Sequence, residues 1–264
     1  MITHTMGDTL LKAEQVELRY DNRIILRDIN FAIKDVIRPG MQQGQVISLI
    51  GRSGLGKTQL FRLLSGLQTP TSGHIYLQNN KTVKAGDMGV IFQNYYLFEW
   101  RTVYQSLLLA AGKNPALKGR EKESIAAYAD RFQLTTHLQH YPQQLSGGQR
   151  QRASIIQQLL KGSPFLLLDE PFSGLDVCVL DKVVELLLEV SVSDEYKTLI
   201  IVSHDISTAV AISDTVFILG EESGQPGATI KKEIDLIERD LARQHDIRQL
   251  PVFRDTNEEI KACL

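Results

Sequence analysis

Residues 46–58 read Val-Ile-Ser-Leu-Ile-Gly-Arg-Ser-Gly-Leu-Gly-Lys-Thr. Val46 to Ile50 is a short β-branched run of the kind that fills a buried parallel strand. Gly51-Arg-Ser-Gly-Leu-Gly-Lys57-Thr58 follows it and opens a helix from Thr58 to Ser65. Leu60, Phe61, Leu63 and Leu64 are its apolar positions, and Gly66 is placed to stop it. Strand, glycine-rich loop and helix in this order are the setting of a phosphate-binding loop. The glycines at 51, 54 and 56 let the backbone wrap an anion, with the successive N–H groups of Ser53 to Gln59 turned inward. The helix N-terminus adds a partial positive charge, Lys57 can reach terminal phosphates, and the Thr58 hydroxyl suits Mg²⁺. The loop by itself leaves kinase, GTPase and ATPase open.

On the N-terminal side, Leu11 to Phe31 alternates apolar and polar residues and reads as two strands joined at the turn pair Asp21-Asn22. Ile33 to Gly44 carries Pro39, Gly40 and Gly44 and reads as a loop. After the first helix, HIYLQ (74–78), TVKAG (82–86) and GVIFQ (89–93) read as short strands. From Tyr95 to about Gln158 the pattern is mostly helical, with Leu107 to Ala111 and Ile125 to Phe132 as candidate helices. Alternation then resumes. FLLLD (165–169), a helix from Asp176 to Val190, TLIIVSH (198–204), a helix from Ile206 to Ile212 and TVFIL (215–219) follow in turn. In the Asp176 helix Leu180, Val183, Val184, Leu187 and Leu188 share one face, opposite Asp181, Lys182, Glu185 and Glu189. Strands alternating with helices predict a parallel sheet covered on both faces, interrupted here by a helical insertion. The charged segment 221–264, with Pro226 and Pro251, reads as a C-terminal extension to a main domain over 1–220.

The composition excludes several classes. With 43% hydrophobic and 23% charged residues over 264 positions, the chain is neither disordered nor a fibrous repeat. Lys and Arg number 29 against 31 Asp and Glu, so no basic surplus argues for nucleic acid. The longest unbroken apolar run, Leu107 to Ala111, falls far short of the roughly 20 residues of a membrane helix. The first residues lack a basic start followed by an apolar stretch, so no secretory signal is expected. Cys178 and Cys263 sit in no metal-ligand spacing.

Two further stretches carry chemistry. Phe165-Leu-Leu-Leu-Asp169-Glu170-Pro171 is an apolar strand ending in two carboxylates, and ligands of open α/β sheets bind at such strand ends. Asp169 can hold Mg²⁺ through water, and Glu170 can polarise an attacking water. Leu145-Ser-Gly-Gly-Gln149 places a good N-cap, Ser146, before two glycines at the start of a helix running from Gln149 to Leu160. Exposed N–H groups at Gly147 and Gly148 make this a second phosphate-binding device in one chain.

With these residues in view, LSGGQ (145–149) resembles the signature motif of ABC-type ATPases, and the other motifs of that family stand in its order. Tyr20 looks like the aromatic that stacks on adenine. Gln93 resembles the Q-loop glutamine, which contacts the metal and nucleotide, Ser173-Gly-Leu-Asp176 the D-loop, and His204 the switch histidine. The resemblance spans about residues 11 to 220. It implies a RecA-like P-loop NTPase core, α/β, with an N-terminal antiparallel β subdomain and a helical subdomain inserted at approximately 95–158. It implies ATP and Mg²⁺ as cofactors, Lys57, Glu170 and His204 as the catalytic set, and a metal set of Thr58, Gln93 and Asp169. It also implies a head-to-tail homodimer, in which Ser146, Gly147, Gly148 and Gln149 of one copy close on ATP held by Lys57 of the other.

A narrower resemblance comes from TVKAGDMGVIFQ, from Phe98-Glu-Trp100-Arg-Thr-Val103 and from the tail, which look like the ATPase subunits of nitrate, sulfonate and taurine importers. The implied partners are a transmembrane permease and, indirectly, a substrate-binding protein, with no nucleic acid. The implied location is peripheral, on the cytoplasmic face of the inner membrane. Tyr95, Tyr96, Phe98 and Trp100 offer a docking cluster or, equally, packing for the helical insertion. A non-transport ABC-type ATPase, or a transporter ATPase for an unrelated substrate, is the alternative reading. A guanine-reading Asn-Lys-x-Asp motif is missing, since Asn80-Lys81-Thr-Val does not qualify.

Three positions depart from the family pattern. Gln59 stands where a hydroxyl residue is usual, which removes a side-chain contact to the α-phosphate while leaving the backbone N–H. Leu55 is bulkier than the usual residue, and Ile33 to Gln43 is a longer link to the strand before the loop, expected as a surface extension.

Overall fold

The computed structural model describes residues 4–38, 44–173, 177–191, 198–244 and 246–264. Asp176 and residues 39–43 of the lengthened link therefore lie outside the described residues. The chain opens with β1 (Thr5–Tyr20), β2 (Arg23–Ile37), β3 (Gln45–Ile50), α1 (Lys57–Leu64), β4 (Ser72–Leu77), β5 (Lys81–Thr82) and β6 (Gly89–Ile91). Three helices follow, α2 (Val103–Ala111), α3 (Glu121–Arg131) and α4 (Gly147–Lys161). The last part runs β7 (Phe165–Asp169), α5 (Val177–Ser191), β8 (Thr198–Ser203), α6 (Ile206–Ile212), β9 (Thr215–Glu221), β10 (Ala228–Asp235) and α7 (Pro251–Cys263). Two compact units result: Met1–Asp87 with Leu167–Leu264, and Met88–Leu166.

The first unit is built on a sheet in the order β5-β4-β1-β2-β10-β9-β3-β8-β7. β3 runs parallel to β8, from Gln45 opposite Thr198 to Ile50 opposite Ser203, and parallel to β9 on its other side. Every residue of β3 and β8 is buried, as expected of central strands covered on both faces. The N-terminal strands are antiparallel: β1 pairs with β2 from Thr5 opposite Ile37 to Tyr20 opposite Arg23, and with β4 on its other edge. The turn between β1 and β2 falls on Asp21-Asn22, as the sequence predicts, with Asp21 in a left-handed conformation.

Four sequence readings are corrected. Ile33–Ile37 is strand rather than loop, because Ile33 and Val36 are buried and the ladder with β1 continues to Ile37. TVKAG is not a strand beyond Thr82. Asp87 accepts from the Lys84 amide (2.9 Å) and donates its own N–H to the Lys84 carbonyl (3.1 Å), which closes a turn there. The segment after Gly220 is no appendage to the sheet. β10 pairs antiparallel with β9 and touches β2, and Ile234, Leu236, Leu241, Phe253 and Ile260 pack with Ile50, Val210 and Ile218 in one apolar cluster. Its charges pair with one another at the surface: Glu259 accepts from Arg239 (2.7 and 3.2 Å) and from Lys232 (2.6 Å). These partners hold the Glu259 carboxyl down at about 2.

The described part of the lengthened link is not a surface extension either. Arg38 is 1% exposed, donates to Asp214 (2.5 Å) and to the Gly44 carbonyl (3.0 Å), and shares both partners with Arg243. Asp214 also accepts the Val46 amide at 2.8 Å. The acid thus satisfies the first residues of β3, the end of the link and the tail together, as a buried charge requires.

The second unit is helical around a core that includes Val103, Leu107, Ile125, Ala129, Ile156 and Leu160. The Thr102 hydroxyl accepts the Gln105 amide (3.2 Å) and the Gln105 side chain accepts the Thr102 amide (3.0 Å), a capping box that starts α2 four residues ahead of the apolar run. α4 ends on Gly162, whose φ of 77° stops the helix in the left-handed region. Among the described residues no helix is long and apolar enough to cross a membrane.

Candidate functional site

In the first unit, β3 delivers the chain into Gly51–Gly56, and α1 begins at Lys57. Gly56 is the N-cap with φ 91°, and a Cβ there would stand 2.9 Å from the Ile25 side chain. Gly51 is needed for a different reason: a Cβ would lie 2.9 Å from the Leu219 carbonyl of β9. Backbone shape and close packing together therefore demand glycine at these ends of the loop. Ser53 and Gly54 are exposed, and Leu55 and Gln59 half-buried. Lys57 is buried and curls over the loop, donating to the carbonyls of Gly51 (2.9 Å) and Arg52 (3.3 Å).

β7 and β8 end beside this loop. Asp169 is buried, and one carboxylate oxygen, Oδ1, has no hydrogen-bond partner among the described residues. Burial first, and then the neighbouring Glu170, push its carboxyl above the usual range, while Lys57 and the Thr58 hydroxyl pull the other way. A buried unpartnered carboxylate oxygen beside a hydroxyl is a donor set that fits a small hard cation such as Mg²⁺.

Glu170 adopts φ 50°, fixed by its amide donating to the Val202 carbonyl of β8 (2.8 Å). Its side chain stands between two others: Oε1 is 3.4 Å from Lys57 Nζ, and Oε2 is 2.7 Å from His204 Nδ1 and accepts the His204 amide at 3.2 Å. His204 itself is half exposed, with Asp205 capping α6 behind it by accepting the Thr208 amide (3.1 Å). One carboxylate thus links the loop lysine to the residue after β8.

In the second unit, Gln93 is exposed, two residues past the end of β6. Ser146 Oγ accepts the Gln149 amide (3.3 Å) and Gln149 Oε1 accepts the Ser146 amide (2.9 Å), a capping box that fixes the start of α4. Gln149 Nε2 lies 3.0 Å from His137 Nε2. At Gly147 and Gly148 an added Cβ would meet nothing within 4 Å among the described residues, and neither glycine has positive φ. On the same unit Tyr96 and Trp100 are 67% and 73% exposed, Trp100 in ring contact with Phe98 (5.4 Å between centroids). Tyr95 and Phe98 are half-buried, and burial raises the Tyr95 hydroxyl to about 12. The cluster expected to dock or to pack is therefore divided between the two.

Comparison with known proteins agrees with this geometry. A family described as "ABC transporter" matches residues 35–173. The uncharacterized ABC transporter ATP-binding protein YtlC of Bacillus subtilis is 34% identical over 232 residues, covering 87% of this chain and 84% of that one. The chain belongs to the ABC transporter ATPase family. The nitrate import ATP-binding protein NrtD of Synechocystis is 32% identical over 247 residues, covering 91% of this chain and 88% of NrtD. A dimeric bacterial ABC transporter cassette of known structure superposes with a TM-score of 0.68 at 25% identity, over 86% of this chain and 99% of that one.

This ABC ATPase brings Gly51–Thr58, Asp169, Glu170 and His204 together in its first unit and carries Gln93 and Ser146–Gln149 in its second. Tyr20, at the end of β1, is 45% exposed, and its hydroxyl lies between two glutamines. It donates to Gln59 Oε1 (2.9 Å) and accepts from Gln68 Nε2 (2.7 Å). Gln68 and His137 escape the sequence reading. A lone glutamine after a helix and a lone histidine in a turn carry no spacing signal, although their partners Tyr20 and Gln149 were both named from the sequence.

Proposed function

We propose that this ATPase is the energy-coupling subunit of an importer of small anions such as nitrate or sulfonates, peripheral on the cytoplasmic face of the plasma membrane. The carrying observation is the Lys57–Glu170–His204 constellation over the phosphate loop. Ser53 to Gln59 offer their N–H groups, and the helix start its partial charge, to the phosphates of ATP. Lys57, already desolvated, exchanges its loop carbonyls and Glu170 for the terminal phosphate oxygens. That exchange releases Glu170 Oε1 to orient water and accept its proton, with His204 steadying Oε2. Asp169 Oδ1 and the Thr58 hydroxyl would hold Mg²⁺, which when bound neutralises charge on the transferred phosphoryl group.

Gly147 and Gly148 support a head-to-tail homodimer. Among the described residues nothing in the chain's own packing or backbone requires glycine there, which supports reading the open space as room for the nucleotide of a second copy. The exposed Tyr96 and Trp100 suit a membrane-embedded permease as partner, and the nitrate importer relative supports the anion reading.

The test of the catalytic set is Glu170→Gln, expected to slow phosphate release by roughly 10²-fold or more and to leave an ATP-bound dimer visible by gel filtration. Parental turnover, with monomer only, would remove Glu170 from the reaction. Deleting the chain from its host should abolish growth on nitrate or a sulfonate as sole nutrient source, and growth on all of them would sink the anion reading.

A further inference from the structure

We propose that Gln59 is a positioning residue for the adenine base: with Gln68 it braces the Tyr20 hydroxyl and so sets the ring on which the base stacks. This rests on the reading of Tyr20 as the base platform. Three side chains form a one-way chain of hydrogen bonds, Gln68 Nε2–H to Tyr20 Oη, and Tyr20 Oη–H to Gln59 Oε1. Each bond in such a series polarises the next.

Geometry makes the brace specific to nucleotide binding. Tyr20 closes β1 just before the turn at Asp21-Asn22, where the backbone alone fixes the Cα but leaves both side-chain torsions free. At 45% exposure the ring offers a face to a ligand. An unanchored ring would have to be ordered by the base on binding, at a cost in side-chain entropy. Anchoring Oη removes that cost beforehand.

Gln59 stands in the first turn of α1, directly after Lys57 and Thr58. Its side chain therefore ties the base platform to the same helical turn that meets the phosphates, fixing the two ends of a nucleotide site relative to each other. Gln68 closes the brace from beyond the other end of α1, where its amide donates to the Arg62 carbonyl (3.2 Å). The residue that departs from the family's hydroxyl pattern has its carbonyl oxygen committed to Tyr20.

The experiment measures dissociation constants for ATP, and for inorganic tripolyphosphate as a competitor of ATP, with Tyr20→Phe, Gln59→Leu, Gln68→Leu, the Tyr20→Phe/Gln59→Leu double variant and Tyr20→Ala. Tyr20→Phe keeps the ring and removes only the hydroxyl. Each brace variant is expected to weaken ATP by about three- to tenfold, the range of one net hydrogen bond, and to weaken tripolyphosphate less. Gln59→Leu should add nothing further on the Tyr20→Phe background. Additive losses, or equal losses for both ligands, would overturn the brace. If Tyr20→Ala binds ATP as the parent does, the platform reading itself fails. If Tyr20→Ala loses affinity while Tyr20→Phe and both glutamine variants do not, the platform stands and the brace falls.

Discussion

At the scale of single residues, Glu170 shows what the fold invests in the site. A glutamate at φ 50° is strained, by about 1–3 kcal/mol, and it persists because Val202 takes its amide while Lys57 and His204 hold its side chain. His204→Ala should therefore loosen Glu170 and lower turnover by roughly 10²-fold in a phosphate-release assay. Turnover within twofold of the parent would show that Lys57 alone suffices. Gly56→Ala acts on backbone instead: φ 91° and the 2.9 Å approach to Ile25 should cost about 1–3 kcal/mol in urea denaturation, along with ATP binding. Lys57, Asp169 and Glu170 were legible in the sequence because they open a helix or stand at the end of an apolar strand, whereas His204 was singled out only by the family resemblance. Gln68 and His137 were not legible, because a side-chain contact between residues distant in number leaves no periodic trace.

Among the elements, the start of α4 separates stability from function. Ser146→Ala removes half of a capping box and should cost about 1 kcal/mol, read as a lower denaturation midpoint. Gly147→Ala should leave the monomer at least as stable, since the added Cβ meets nothing and alanine prefers a helix, by up to about 0.5 kcal/mol, yet ATP hydrolysis should fall. Unchanged hydrolysis in that variant would argue that no second nucleotide approaches these glycines. The buried strands were easy to read, as β3, β7 and β8 are short stretches dominated by apolar residues. β2 was cut short in the reading because Pro39, Gly40 and Gly44 mark residues 33–44 as a loop, while the buried Ile33 and Val36 carry the strand on to Ile37. The Thr102–Gln105 box shows the converse, a helix start set by two polar side chains ahead of any apolar signal.

For the molecule as a whole, the charged tail was the largest misreading, since composition alone cannot tell a solvated segment from one with a buried stripe. Its acid response follows from Glu259. A carboxyl held at about 2 instead of 4.5 contributes stability that is full above about pH 4.5 and disappears as the pH falls toward 2. Partial exposure limits this to about 1 kcal/mol. Glu259→Gln should flatten the acid limb of a denaturation-against-pH curve, and an unchanged limb would show that the pairs with Arg239 and Lys232 contribute nothing. Trp100→Ala should weaken recovery with permease-containing membranes while ATP affinity stays at the parental value, and equal recovery would count against docking through that face. The group around Asp214 bears on how such a chain can be rebuilt. Arg38 of the long link and Arg243 of the tail meet on one acid and one carbonyl, although 205 positions separate them by number. A chimera that takes its tail from this protein and its link from a shorter-linked relative would strand Asp214 with half its countercharge, so the two segments are transplanted as a pair or not at all.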